Sequence, residues 1–120
     1  MGYYKDLLAF QKAYMLSMKI FQITKRFPPE EKYSLTDQIR RSSRSVCTNI
    51  AEAYKRRRYK DYFISKLNDS ETENTETEVW ISFSNDCGYI TEEDYHELML
   101  LNTEVGKLIF HMINNPDKFS

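Results

Sequence analysis

Residues 33–53 read YSLTDQIRRSSRSVCTNIAEA. Leu35, Ile39, Ser42, Val46, Asn49 or Ile50, and Ala53 recur at spacings of three and four. That is one face of an α-helix, not the alternation of a strand. The small residues Ser42, Ser43 and Ala53 on this seam let a neighbouring helix approach closely. Asn49 falls on or beside it and needs partners if buried. Ser34 and Asp37 stand in the S-x-x-D relation, a weak capping box that opens the helix.

Upstream, a helix over about 6–27 is expected, with Asp6 as N-cap. Leu7, Tyr14 and Phe21 recur every seven residues, and Phe10, Met15 and Met18 widen that stripe. Pro28-Pro29 ends it, because a residue before proline leaves the α region. Downstream, a third helix opens with Tyr59, Phe63 and Leu67 on one face. Residues 68–78, NDSETENTETE, then carry no large apolar side chain, and propensity alone predicts a loop or break there. The apolar pattern resumes at Val79, Trp80, Ile81 and Phe83, and Gly88 is a natural C′ residue. A last helix over 91–114 starts with Thr91 and Asp94 in a second weak capping box. It carries the cleanest seam of the chain: Leu98, Leu101, Val105, Leu108 and Met112. Pro116 stops it. With the second and third helices over 34–57 and 59–87, the four predict one all-α domain, 1–120. Helices of about 20 residues, each roughly 30 Å long and joined by short loops, make an antiparallel up-down-up-down bundle.

Composition bounds the rest. The chain has 120 residues, 41% of them hydrophobic and 14% aromatic, enough bulk for a core. Three Gly and three Pro argue against a turn-rich sandwich or barrel. Two cysteines, Cys47 and Cys87, make no disulfide framework and fit a reducing cytoplasm, each reading as a small core residue. No apolar run approaches the ~20 residues of a membrane span, and the N-terminus has no signal pattern. The net charge of −1 hides an asymmetry: residues 1–60 carry 14 Lys/Arg against 5 Asp/Glu, and residues 61–120 carry 3 against 13. This suits an anionic partner at the basic half or charge-complementary self-association.

Residues 33–53 resemble the pattern Y-G-L-x-x-Q-I-R-R-A-x-x-S-I-x-x-N-I-A-E-G. Residues 76–90, ETEVWISFSNDCGYI, resemble a second signature of the same family, and KDLLAFQKAYML and TKRFPPEEKYSL fit as well. The chain therefore resembles the S23 ribosomal protein-like family, bacterial four-helix-bundle proteins encoded by intervening sequences in 23S ribosomal RNA genes. Ser34, Cys47 and Ala53 depart from the usual Gly, Pro and Gly, and Ala53 would let the second helix run on into KRRR. The resemblance implies a left-handed antiparallel four-helix bundle, often a homopentamer. A related accessory protein of diversity-generating retroelements binds nucleic acid and a reverse transcriptase through basic surface. The resemblance also implies one continuous third helix through 68–78. Ser70, Asn74 and Thr77 would then lie between Leu67 and Ile81 and face Ser42, Ser43 and Asn49. Such a polar layer is tolerated only when every donor and acceptor is paired.

Residues 40–60 hold Arg40, Arg41, Arg44, Lys55, Arg56, Arg57, Arg58 and Lys60 against the single acid Glu52. Long cations on one surface bind phosphates by releasing counterions, and the interleaved Tyr54, Tyr59 and Tyr62 could stack on unpaired bases. The bland alternative is a solvated face. Lys55, Arg56, Arg57, Arg58 and Lys60, with Arg44, are the expected phosphate contacts. Gln38, Arg40, Arg41, Asn49 and Glu52 are read as structural. In the resembling motif Arg41, Asn49 and Glu52 look like pairs, within or between subunits, with acids of the third helix such as Glu76 or Glu78. Glu73 and Glu76 could hold Mg²⁺ for phosphodiester chemistry, but a partnership with the basic helix outweighs that reading. Glu93 and His96 form a single E-x-x-H, where a di-iron bundle needs two. No metal, cofactor or catalytic set is expected. The leading expectation is a non-enzymatic, cytoplasmic, self-assembling protein that binds RNA or another nucleic acid. The alternative is a scaffold module whose charged helices make subunit or partner contacts.

Overall fold

The structure, a computed structural model, describes residues 2–120. Among them are four α-helices and no strand: α1 (Leu8–Thr24), α2 (Leu35–Lys55), α3 (Lys60–Asp86) and α4 (Glu92–Asn114), with short 3-10 turns at Tyr4–Asp6, Pro29–Glu31 and Pro116–Lys118. At ~1.5 Å per residue, α3 spans roughly 40 Å, which accounts for the long dimension of the 44 × 25 × 20 Å molecule. Each helix lies against two others: α1 on α2 and α4, and α3 on α2 and α4. Cross-contacts fix the directions. Lys12 meets Glu104 and Lys19 meets Glu97, so α4 numbers fall as α1 numbers rise. Ser42 meets Thr77 while Lys66 meets Glu52, and α2 and α3 are opposed in the same sense.

The seam expected for α2 is the buried one. Leu35, Ile39, Ser42, Val46, Ile50 and Ala53 are all buried, and Asn49 sits half-buried beside them. Thr91 caps α4, its hydroxyl accepting from the Asp94 amide at 3.0 Å. Gly88 takes φ +76°, the left-handed residue that ends α3. Other expectations fail. Asp6 caps nothing; it ends a 3-10 turn, and α1 begins at Leu8 behind Leu7. Ser34 does not cap α2, because its hydroxyl donates instead to Glu31 Oε1 at 2.6 Å. Tyr59 is half exposed at the start of α3, and Cys87 is exposed rather than packed. In α4, Leu108 is only half-buried, while Asn102 and Ile109 take core positions.

The largest correction is in α1. Its buried face is Ala9, Ala13, Leu16, Ser17, Ile20 and Thr24. The heavier Tyr14, Met15 and Met18 of the expected stripe face solvent, Tyr14 with 55% of its surface exposed. The α-helical period is right but the phase is wrong, because the small Ala9 and Ala13 are what allow α1 to sit close to its neighbours.

Residues 68–78 are continuous helix within α3, with no break. Their polar seam is fully paired. Ser70 and Thr77 have no exposed surface and Asn74 only 6%. Thr77 Oγ1 lies 2.8 Å from Ser42 Oγ, Ser70 Oγ donates to the Val46 carbonyl at 2.9 Å, and Ser43 reaches Ser17 of α1. Asn74 and Asn102 bond reciprocally: Asn74 Nδ2 donates to the Asn102 carbonyl, and Asn102 Nδ2 to the Asn74 carbonyl, each at 3.0 Å. This layer divides two apolar clusters. One is built on Val46, Ile50, Phe63, Leu67, Val105 and Ile109; the other on Leu16, Ile20, Ile39, Ile81, Leu98 and Leu101. Among the described residues no buried side-chain nitrogen or oxygen lacks a partner, so the layer escapes the ~1–3 kcal/mol cost of each orphaned polar group.

Candidate nucleic-acid interface

The chain turns from α2 into α3 through Arg56–Tyr59. Ala53 does not let α2 run on into KRRR: the helix ends at Lys55, the Arg56 amide bonds to the Ala53 carbonyl, and the Tyr59 amide to the Arg56 carbonyl. Arg57 folds back, donating to the Tyr54 carbonyl at 2.9 Å with its guanidinium 4.2 Å from that ring's centroid. Arg58 lies 5.2 Å over Tyr59. Cations held over aromatic faces stay near the surface with their N–H groups still available. Lys60 pairs with Asp117 at 3.0 Å. Both ends of that pair are exposed, so it is worth no more than about 1 kcal/mol. Among the described residues, Lys55, Arg56, Arg57 and Arg58 have no carboxylate within 4.0 Å. Tyr59 and Tyr62 stand half exposed beside them.

Many other cations are engaged between helices. Lys12, Lys19 and Arg26 bind Glu104, Glu97 and Asp94 and tie α1 and the turn after it to α4. Arg41 reaches both Glu73, at 2.9 Å, and Glu76, while its Nε donates to Gln38 Oε1. Lys66 bonds Glu52 at 2.9 Å and Asn49 Oδ1 at 3.4 Å; Asn49 also donates to the Ser45 carbonyl. Glu78 makes no ion pair among the described residues. Titration follows these contacts. Hydrogen bonds to Glu73 and Glu76 raise the Arg41 guanidinium further. Burial pushes Glu73 upward, but bonds from Arg41 and Ser45 outweigh it, and the carboxyl ends below its usual range. Burial pushes the Cys47 thiol up to about 12, so it is inert.

The structure separates Arg44 from the α2–α3 corner. It sits three helical turns before Lys55, roughly 16 Å along α2. There it lines an open groove of about 610 Å³ with Lys32, Tyr33, Asp37, Arg40 and Arg41. Arg40 lies over Phe21 at 4.8 Å and donates to Thr24 Oγ1 at 2.8 Å. Sequence reasoning missed Lys32 and Tyr33 as site residues. Their signal was an aromatic beside a lysine just before a helix, a pattern too common to single out.

Among the described residues no group of three or more His, Cys, Asp or Glu side chains is arranged to hold a metal. Arg41 occupies both Glu73 and Glu76, the carboxylates considered for Mg²⁺. His96 meets Glu92 at 3.6 Å on the surface, and His111 bonds to Asn115. Among the described residues no helix is long and apolar enough to cross a membrane.

Fold and site together define a small four-helix protein with charged pairs between its helices and, among the described residues, a cationic corner without carboxylate partners. A family model described as 23S rRNA-intervening sequence protein matches residues 5–111, and the chain belongs to that family. It is similar to a solved structure described as a protein with unknown function from the S23 ribosomal protein family of Bacteroides thetaiotaomicron. The two are 32% identical with a TM-score of 0.82, over 92% of this chain and 98% of that one. No curated protein matches.

Proposed function

We propose that this protein is a non-enzymatic, cytoplasmic nucleic-acid-binding protein that meets RNA through the corner between α2 and α3. One observation carries the reading. Among the described residues, the four consecutive cations Lys55–Arg58 lack carboxylate partners, whereas Lys12, Lys19, Arg26, Arg41 and Lys66 each meet an acid of another helix. An uncompensated cluster flanked by exposed tyrosines is suited to phosphates and unstacked bases. The opposed helix pairs support an up-down-up-down bundle, and its left-handed form is what the family resemblance implies. The test is binding to a structured 23S ribosomal RNA fragment across salt concentration. Four phosphate contacts give a log–log slope of about −3. Reversal of Arg56, Arg57 and Arg58 to Glu is expected to abolish binding at moderate salt with the helical content intact. Unchanged affinity would overturn the assignment.

A second reading, self-assembly, is favoured by the outer face of α1. Tyr14, Met15 and Met18 form an exposed apolar stripe bordering a groove of about 570 Å³ against α4. The helices α1 and α2 belong to the basic half of the chain, and α3 and α4 to the acidic half, which also exposes Val79, Phe83, Leu100 and Phe110. Two unlike, complementary surfaces suit head-to-tail contact between copies, which closes into a ring such as a homopentamer. Met15→Glu with Met18→Glu is expected to shift the protein toward monomer in sedimentation. An unchanged distribution removes α1 from any interface.

A further inference from the structure

The groove on the outer face of α2 lies apart from the corner. Its walls are Lys32 and Tyr33 before the helix, then Arg40, Arg44 and Thr48 along it. Arg40 and Arg44 are one turn apart, and their guanidiniums flank a single ring, Phe21, at 4.8 and 5.8 Å. That ring and Thr24 hold Arg40 in place, which lowers the entropy lost when it meets a ligand. Among the described residues, Lys32, Arg40 and Arg44 have no carboxylate within 4.0 Å. Arg41, also on the wall, has its charge met by Glu73 and Glu76, and Asp37 is the one acid in the lining. Tyr33 is 84% exposed, the most exposed of the large apolar side chains, and its ring carries Lys32 at 5.3 Å.

We propose that this groove is a subsite for single-stranded nucleic acid, in which an unpaired base stacks on Tyr33 and the adjoining phosphates lie against Arg44, Arg40 and Lys32. The volume, about 610 Å³, falls in the range of pockets that take ligands of nucleotide size. A duplex keeps its bases stacked inside and offers Tyr33 nothing, so the groove discriminates for unpaired strand, whereas the corner contacts phosphates of either form. Arg44 and Lys55 project from nearly the same face of α2, so one strand running along the helix reaches both sites. The inference rests on the reading of the corner as a nucleic-acid surface.

The test compares binding of a labelled twelve-nucleotide single-stranded RNA and the duplex of the same sequence. Five proteins are used: wild type, the corner variant with Arg56, Arg57 and Arg58 reversed to Glu, and three groove variants, Tyr33→Leu, Tyr33→Phe, and Lys32→Gln with Arg44→Gln. All three sites are on the surface, and thermal melting verifies that each variant is folded. Tyr33→Leu is expected to weaken single-strand binding about tenfold while leaving the duplex unchanged, and Tyr33→Phe to keep wild-type affinity. The Lys32 and Arg44 double variant is expected to reduce the single-strand salt slope by about 1 to 1.5. Groove variants that bind single strand like wild type, while reversal at Arg56–Arg58 abolishes binding, overturn the subsite and leave the corner standing. A wild-type protein that binds neither RNA at low salt overturns both.

Discussion

Two regions of this molecule reverse the usual rule of what is buried. The middle of α3 presents Ser70, Asn74 and Thr77, and all three are buried. The outer face of α1 presents Tyr14, Met15 and Met18, and all three are in water. The difference lies in partners and size. Each polar group in the α3 layer finds a hydrogen bond on α2, α4 or its own helix, so burying it carries little net penalty. In α1 the small Ala9 and Ala13 permit close packing that Tyr14 and Met15 would obstruct. Hydrophobicity sets the drive to bury a side chain; complementarity across the helix pair decides which face is taken.

The sharpest way to break this comparison is at the asparagine pair. Asn102→Ala leaves Asn74 Oδ1 without its 3.1 Å donor and opens a cavity in the packed layer. A loss of about 3 kcal/mol in urea unfolding is expected, the sum of an orphaned buried acceptor and lost packing. A loss below about 0.5 kcal/mol would mean that the layer is not held by its pairing. Next is Gly106→Ala. In an open helix that change gains about 1 kcal/mol. Here the new Cβ would lie 3.3 Å from Asn74 Nδ2, an atom fixed by its bond to the Asn102 carbonyl. Overpacking outweighs propensity, and a net loss of about 1 kcal/mol is expected. On the other side of the comparison, Met15→Glu with Met18→Glu is expected to change the unfolding free energy of the isolated monomer by less than about 0.5 kcal/mol. A larger loss would mean that the outer face of α1 packs within the monomer after all.

The smallest effect tests a polar pair outside the layer. Tyr89 Oη donates to Glu31 Oε2 at 2.8 Å, and that bond, with burial and the nearby charge, pushes the phenol up to about 12 from its ordinary ~10. A raised pKa in the folded state adds stability that is complete below the unfolded value and is lost as pH rises through the folded one. Melting temperature is therefore expected to fall more steeply between pH 10 and 12 in wild type than in Tyr89→Phe. Parallel curves would place the alkaline loss elsewhere.

Legibility in the sequence varied along the chain. The seams of α2 and most of α4 could be read directly, because one apolar face per helix leaves one choice of phase. In α1 apolar residues occupy two faces, and periodicity has no means of choosing between them. The middle of α3 looked like a break because propensity and apolar content are local measures, while its stability comes from α2 and α4. The resemblance at residues 33–53 and 76–90 supplied the continuous helix that local reading lacked. At the candidate interface, the charge of residues 55–60 was visible, but which cations were already neutralised was not. Arg41 and Arg57 look alike in the chain; one is met by Glu73 and Glu76, and the other rests on Tyr54 with, among the described residues, no carboxylate within 4.0 Å.

By itself the sequence determined four helices, their approximate ends, the family and the split of charge between the two halves, since these follow from local periodicity, proline and glycine placement, motif and composition. Only the tertiary structure decided which face of α1 is buried, that a polar layer joins two apolar clusters, and that Lys32, Tyr33 and Arg44 share a groove apart from the corner. Each of those depends on side chains brought together from distant positions in the chain, and their shapes and hydrogen bonds become complementary only when the helices have packed.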